Sequence, residues 1–168
     1  GNYEYNDNVS KIGKVYRTDT INSASSTIKR VTTKWDSYAT SSDRYFVYPL
    51  QTVTEHDGTA EAISYTYSTF TGNLSDKAEW GTVTASTPLA FSDTGNDKRT
   101  TFYTYNKNTT TNVTVPTNIT LKDQSGTKVA EQIITYDGGT LSKGLPTNIA
   151  SWLVSSTYNN SQKSYYSS

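Results

Sequence analysis

The 168-residue chain has no cysteine and no methionine, and only one histidine. Without cysteine it can form no disulfide, no thiolate metal site and no cysteine nucleophile. A lone histidine cannot supply a conventional zinc set. Long apolar runs are missing too: none approaches the roughly 20 residues a helix needs to cross a bilayer. No charged-then-apolar leader opens the chain, so any secretion signal of a parent gene would lie outside this stretch. Charge of one sign is also lacking. Fifteen basic and fifteen acidic residues cancel, which leaves no broad field to draw in nucleic acid or an anionic membrane.

Leu, Ile, Val and Phe together make up about 17 % of the chain, a level that goes with disorder when net charge is high. Here the charge is balanced, and 14 Tyr and 3 Trp supply large amphipathic surfaces that can be half buried with a polar tip at water. Helical periodicity is almost absent. Alternation with a period of two recurs in short runs rich in Tyr, Thr, Val and Ile, so the chain reads as all-β. Strands are expected at Tyr3, Lys14, Ile28, Arg44, Leu50, Ala62, Ala78, Arg99, Asn112, Asn118, Lys128, Ile149 and Lys163. Between them lie turn clusters such as "HDGT" at His56, "FTGNLSD" at Phe70, "DTGND" at Asp93, "DQSGT" at Asp123 and "DGGTLSKG" at Asp137. Their Gly, Asn and Asp residues suit positive φ, so antiparallel hairpins are the natural connection.

Landmarks recur in the same order about 70 residues apart. Lys29-Arg30 returns as Lys98-Arg99, Pro49 as Pro116, "YTYST" as "ITYDG", and Trp80 as Trp152. This predicts one all-β segment over 1–168, built from two repeats at about 28–83 and 97–154, with partial motifs at 3–21 and 155–168. Such units have exposed edges and an apolar face, and two of them in register would cover one another. A β-sandwich is the alternative architecture.

The stretches "YEYNDN", "FYTYNKN", "ITYDGG" and "STYNNS" resemble the Tyr-Asp repeats of RHS/YD-repeat proteins, the shell-forming parts of bacterial RHS and Tc-type toxin complex proteins. The order of motifs from Lys98 to Asn160 is similar to the register of such a shell, and Tyr3 to Thr82 follows it more loosely. Only Tyr136-Asp137-Gly138 keeps the full Tyr-Asp-Gly; elsewhere Asn or Ser stands in. Asn tolerates positive φ nearly as well as Gly, so Asn106 to Asn108 reads as a worn repeat turn. The resemblance implies a strand ribbon forming part of a hollow β-shell around a toxin or effector, in a secreted or surface-associated protein, with no catalysis in this segment. Its partners would be the rest of its own repeat array and an enclosed effector. The alternative is a carbohydrate- or receptor-binding adhesin module.

Candidate chemistry is sparse. His56, with Glu55 and Asp57, is conceivable as a general base or metal ligand, but beside an Asp-Gly turn it reads as a solvent-exposed side chain. Glu61, Glu79 and Glu131 are the carboxylates to consider for a glycosidase pair. Glu61 and Glu131 fall at similar places in the two repeats, which favours a structural role in cross-strand pairing. Asp93, Asn96 and Asp97 offer hard oxygen ligands, but their spacing fits no EF-hand loop. Gly72, Gly95, Gly138 and Gly139 precede no helix and read as turn glycines, not a phosphate cradle. Trp35, Trp80, Trp152 and the Tyr165-Tyr166 pair are the aromatics that could stack on sugar rings, although recurrence of Trp80 and Trp152 favours packing between strands. Six Asn-x-Ser/Thr sequons, at Asn8, Asn73, Asn108, Asn112, Asn118 and Asn159, are little more than this Ser/Thr content produces by chance. No catalytic, cofactor or metal residue is expected.

Overall fold

A computed structural model describes residues 9–41, 44–87 and 89–165. The strand expected at Tyr3, the sequon at Asn8 and Tyr166 lie outside the described residues. Two 3-10 turns apart, the regular structure described is β-strand, and the chain divides into two compact units, one up to Arg99 and one from Thr100. The expectation of an all-β chain joined by antiparallel hairpins holds in both.

The first unit is a meander of β1 (Arg17–Ile21), β2 (Thr27–Ser41), β3 (Arg44–His56), β4 (Thr59–Tyr67), β5 (Leu74–Thr87) and β6 (Ala90–Asp93). Each strand pairs antiparallel with its predecessor. The second unit continues with β7 (Arg99–Lys107), β8 (Thr114–Lys122), β9 (Lys128–Tyr136), β10 (Pro146–Val154) and β11 (Thr157–Gln162), paired in the same way. Turn chemistry explains the joints. Asp57 and Gly58 both take positive φ, 49° and 77°, as a two-residue hairpin requires. Asp123 accepts bonds from the backbone N–H groups of Ser125 and Thr127 at 3.0 and 2.9 Å, closing the β8–β9 turn on its own side chain.

The sequence suggests that Pro49 and Pro116 separate strands; instead β3 and β8 run through them. Trp35 stands opposite Pro49 while Lys34 stands opposite Gln51, so Leu50 is an extra residue. Tyr105 stands opposite Pro116 while Thr104 stands opposite Asn118, so Thr117 is extra. A bulge breaks the regular ladder where proline has no N–H to give, and the strand continues.

A second bulge also occupies the same place in both units. Tyr67 faces Leu74 and Thr66 faces Asp76, leaving Ser75 to donate its hydroxyl to the Thr66 carbonyl at 3.0 Å. Tyr136 faces Pro146 and Thr135 faces Asn148, leaving Thr147 to donate to the Thr135 carbonyl at 3.2 Å. Two residues before Leu74 and Pro146 sit Gly72 and Gly144, each at positive φ and each against a neighbouring part of its own unit. A Cβ on Gly72 would lie 3.5 Å from Phe46, and one on Gly144 would lie 3.1 Å from Val113.

This register corrects one sequence reading. Val53 pairs with Ala62, and in the corresponding ladder Thr120 pairs with Glu131. Glu131 therefore stands where Ala62 stands, and Glu61 corresponds to Ala130. The two glutamates are one residue out of step, and one residue in a strand is the other face of the sheet. Counting back from Trp35 and Tyr105 also matches Lys29 with Arg99, so the basic pairs are displaced by one.

The exchange changes the interior. In the first unit Val53, Ala62 and Val83 are buried to 3 %, 2 % and 5 % exposure, with Ala60, Trp80, Ala85 and Phe91 packed around them. Gly81, at φ +39°, lies at an irregularity of the β4–β5 ladder, and the far half of β5 pairs with β6. That hairpin brings Val83 and Phe91 onto the row, and Gln51 Nε2 donates to the Leu89 carbonyl at 3.2 Å. In the second unit the same row is polar. Leu141 is its one buried hydrophobic among the described residues, while Phe102, Val129, Ile133, Leu145, Leu153 and Val154 are exposed.

Candidate functional site

His56, read from the sequence as an exposed turn residue, borders a concave surface of the first unit. Thr27–Arg30 of β2, the β3–β4 turn and Val83–Ala85 of β5 line a cleft of about 490 Å³. A neighbouring hollow of about 660 Å³ shares Lys29, His56, Thr59 and Ala60 and adds Glu61, Gly81, Thr82 and Asp97. Ladder geometry places these groups: Lys29 pairs with His56, Arg30 with Glu55, and His56 with Thr59.

Several of the polar groups around the cleft have partners of their own. His56 Nδ1 lies 3.0 Å from Asp57 Oδ2, with both side chains more than half exposed. The Thr59 hydroxyl donates to the His56 carbonyl at 2.8 Å and closes the turn. Arg30 is held by Asp19 at 2.8 Å and lies 3.9 Å from Glu55. Asp19 is also paired with Arg17. Hydrogen bonds from Arg17 and Arg30 hold the Asp19 carboxyl down at about 2, against an ordinary 3.8. Asp97 accepts from the Thr82 N–H at 3.0 Å and the Thr82 hydroxyl at 3.3 Å, filling the space where a Gly81 side chain would go. Among the described residues, no three His, Asp or Glu side chains converge as a metal-holding group.

The three glutamates do not form a pair of facing acids. Glu79 lies opposite Ile63 in the first unit and bonds Lys77 at 2.9 Å. Glu61 is exposed on β4. Glu131, in the second unit, is the most heavily bonded of the three: it accepts from Asn118 Nδ2 at 3.0 Å, the Thr120 hydroxyl at 3.2 Å, Lys128 Nζ at 2.8 Å and the Tyr158 hydroxyl. Those bonds, Asn118 first, then Lys128 and Tyr158, hold its carboxyl at about 2 against an ordinary 4.5. It ties β8, β9 and β11 together where the first unit has Ala62.

A lysine covers the ring of every tryptophan. Lys14 lies 5.2 Å from the Trp35 ring centre, Lys98 4.2 Å from Trp80, and Lys128 4.9 Å from Trp152. The indole N–H groups go to different partners: Trp80 to the Ser64 hydroxyl at 2.8 Å and Trp152 to the Ser155 carbonyl at 2.7 Å. Trp80 also meets Phe91 edge-on at 5.3 Å. Tyr165 donates to the Pro146 carbonyl at 3.0 Å. Of the sequon asparagines, Asn108 caps its own loop through the Thr110 and Thr111 N–H groups, and Asn118 serves Glu131.

Two features are only partly legible in the sequence. Tyr38, Phe46, Tyr48 and Tyr67 form a continuous row across β2, β3 and β4, with ring centres 4.7 to 6.1 Å apart. Alternation in "RYFVY" and "ISYTY" signals it, once hairpin pairing sets the rings side by side. Burial raises the Tyr48 and Tyr67 phenols above their ordinary value. The second is Asp137. With φ +50° it turns its carboxylate back on the loop and accepts from the N–H groups of Ser142, Lys143, Gly144 and Leu145, at 2.7, 2.9, 2.9 and 3.2 Å. These bonds hold it at about 2. Tyr136, beside it, donates its hydroxyl to the Pro116 carbonyl at 2.9 Å.

Neither a protein-family model nor a curated protein matches the chain. Among solved structures, a porin-like protein from Bacteroides uniformis is similar at 20 % identity, with a TM-score of 0.38, over 86 % of this chain and 50 % of that one. This chain thus spans about half the length of that structure, and a likeness of this size settles neither fold family nor function.

Proposed function

We propose that this chain is a non-catalytic structural segment of a secreted or surface-associated RHS/YD-repeat protein, part of a β-wall that encloses or scaffolds a toxin or effector. The observation that bears most weight is the repeated strand plan: in both units a proline sits at one bulge, a hydroxyl residue at the next, and a glycine is seated against a neighbouring side chain. Tandem use of one plan is how repeat proteins build extended surfaces. The thin interior of the second unit favours the same reading, since a sheet with so little apolar cover gains most from neighbours. The Tyr-Asp motif has a mechanical job here, Tyr136 on the Pro116 carbonyl and Asp137 on the loop that follows.

The coding sequence on either side provides the first test. Further units with the proline, Tyr-Asp and tryptophan landmarks are expected there; a signal peptide directly before Gly1 with a stop directly after Ser168 would contradict the proposal. The longer polypeptide is then expected to shield an enclosed effector from added protease.

The row of Tyr38, Phe46, Tyr48 and Tyr67 favours a second reading, a glycan- or receptor-contacting module, because aromatic faces stack on sugar rings. In that case a glycan array would show specific binding that is lost in Tyr48→Ala with the fold intact. Lysines over all three tryptophan rings weigh against those residues as the platform.

A further inference from the structure

The first unit forks where β4 and β5 part. Their ladder runs as far as Glu61 opposite Thr82. Past that point β4 keeps its partner on one side, with Ala60 opposite Glu55 and Thr59 opposite His56, while β5 turns away to pair with β6, Thr84 opposite Ser92 and Ala85 opposite Phe91. Ala60 and Val83, the next residues in line, are not paired with one another, and both border the cleft of about 490 Å³ at the parting of the strands. Three consecutive residues of β5, Val83, Thr84 and Ala85, line it. Successive side chains of a strand point to opposite faces, so what β5 presents along the cleft is its edge.

The main-chain groups on that edge can be assigned. The Thr94 N–H donates to the Thr82 carbonyl at 3.3 Å, which turns the groups of Thr82, and by alternation those of Thr84, toward β6. Those of Ala85 then face the other way, and on that side β5 has no paired strand beyond Thr82 among those described. The walls nearest the edge, Gly58 to Ala60 and Val83 to Ala85, carry no charge; the charged residues of the lining come from β2, the end of β3 and Asp57 of the turn.

We infer that this fork is a docking site for an extended segment of another polypeptide, which adds to the β5 edge as a short strand and sets a small apolar side chain against Ala60 and Ala85. A free strand edge takes main-chain groups as its partner, and strand addition is one of the general modes of peptide recognition. The cleft is of the size that ligand sites have. Such a site stands whether or not the chain belongs to a longer wall. Few main-chain bonds are on offer, so the binding is weak.

Titration of the full chain with a blocked Thr-Val-Thr-Val-Thr peptide, followed by amide NMR, tests this. Shifts are expected at Ala60, Val83 and Ala85, with Ala85 amide exchange slowed roughly tenfold at a peptide concentration about ten times the dissociation constant. The fully N-methylated peptide, which has no N–H to give, should leave those signals in place. Ala85→Pro removes an N–H only from the open edge, where a strand tolerates proline. Its β5–β6 amides should stay protected while peptide affinity falls roughly tenfold or more, the worth of a lost main-chain bond and the acceptor it leaves unpaired. No shifts at millimolar peptide, an equal response to the N-methylated peptide, binding unaltered in Ala85→Pro, or shifts confined to β1 or to the row from Tyr38 to Tyr67 would each overturn the inference. Unfolding of Ala85→Pro would place that N–H inside a ladder and overturn it too. So would dimers of the chain alone that disappear in Ala85→Pro, since the fork would then belong to a second copy.

Discussion

Asp137 shows how much local order one carboxylate can impose. Four backbone N–H groups converge on it, and each would otherwise need water or another partner. The folded-state carboxyl sits at about 2, below its ordinary 3.8. Its stabilising effect is therefore complete above about pH 5 and is lost as pH falls from the ordinary value through 2. Glu131 follows the same sign, from 4.5 down to about 2. Asp137→Ala is expected to speed amide hydrogen exchange at Ser142, Lys143 and Gly144 while leaving β8 amides unchanged. Unchanged exchange in the loop would show that the carboxylate is dispensable. Tyr158→Phe removes one donor from Glu131, so the Glu131 midpoint, followed by carboxyl NMR titration, should move up toward 4.5.

At the scale of elements, paired positions in the two units carry opposite chemistry. Ala62 lies in an apolar row with Val53 and Val83, and Glu131 lies in a polar one among Asn118, Thr120, Lys128 and Tyr158. Ala62→Glu places a charge where no partner waits, and a loss of about 3 kcal/mol or more is expected by denaturant unfolding; a cost under about 1 kcal/mol would mean that the row is not a core. Gly144→Ala forces a side chain into positive φ, 3.1 Å from Val113, and should cost about 1 kcal/mol or more in the same measurement.

Most strands are legible from alternation and turn residues, because those signals are local. The bulges are not. Proline in a strand reads as a break, and only the partner strand reveals that Pro49 and Pro116 sit where the ladder is already irregular. The connections between strands also differ in length from one unit to the other, with Val53 and Ala62 nine residues apart and Thr120 and Glu131 eleven, which is why spacing alone matches Glu61 with Glu131. The short β6 carries no signal of its own, since "AFSD" is a strand only because β5 continues past Gly81 to pair with it. The aromatic row is half legible: the alternation of Tyr65 and Tyr67 is plain, but the neighbours that complete the row come from β2 and β3. Nothing in the spacing of His56, Glu55 and Asp57 shows that they line a cleft together, because Val83–Ala85 of β5 closes it.

For the whole molecule, one strand plan is used twice, and in the proposed reading its edges and apolar faces meet neighbouring units. β1 in the first unit and β11 in the second are each bonded to one strand among those described. Exposed edges of this kind invite further pairing. In the second unit Ile133, Leu153 and Val154 stay at water. The most direct measurement compares amide hydrogen exchange at β1 and β11 in this chain alone and within the longer repeat polypeptide proposed above. Strong added protection of both edge strands in the longer molecule is expected; equal exchange in the two would contradict the account.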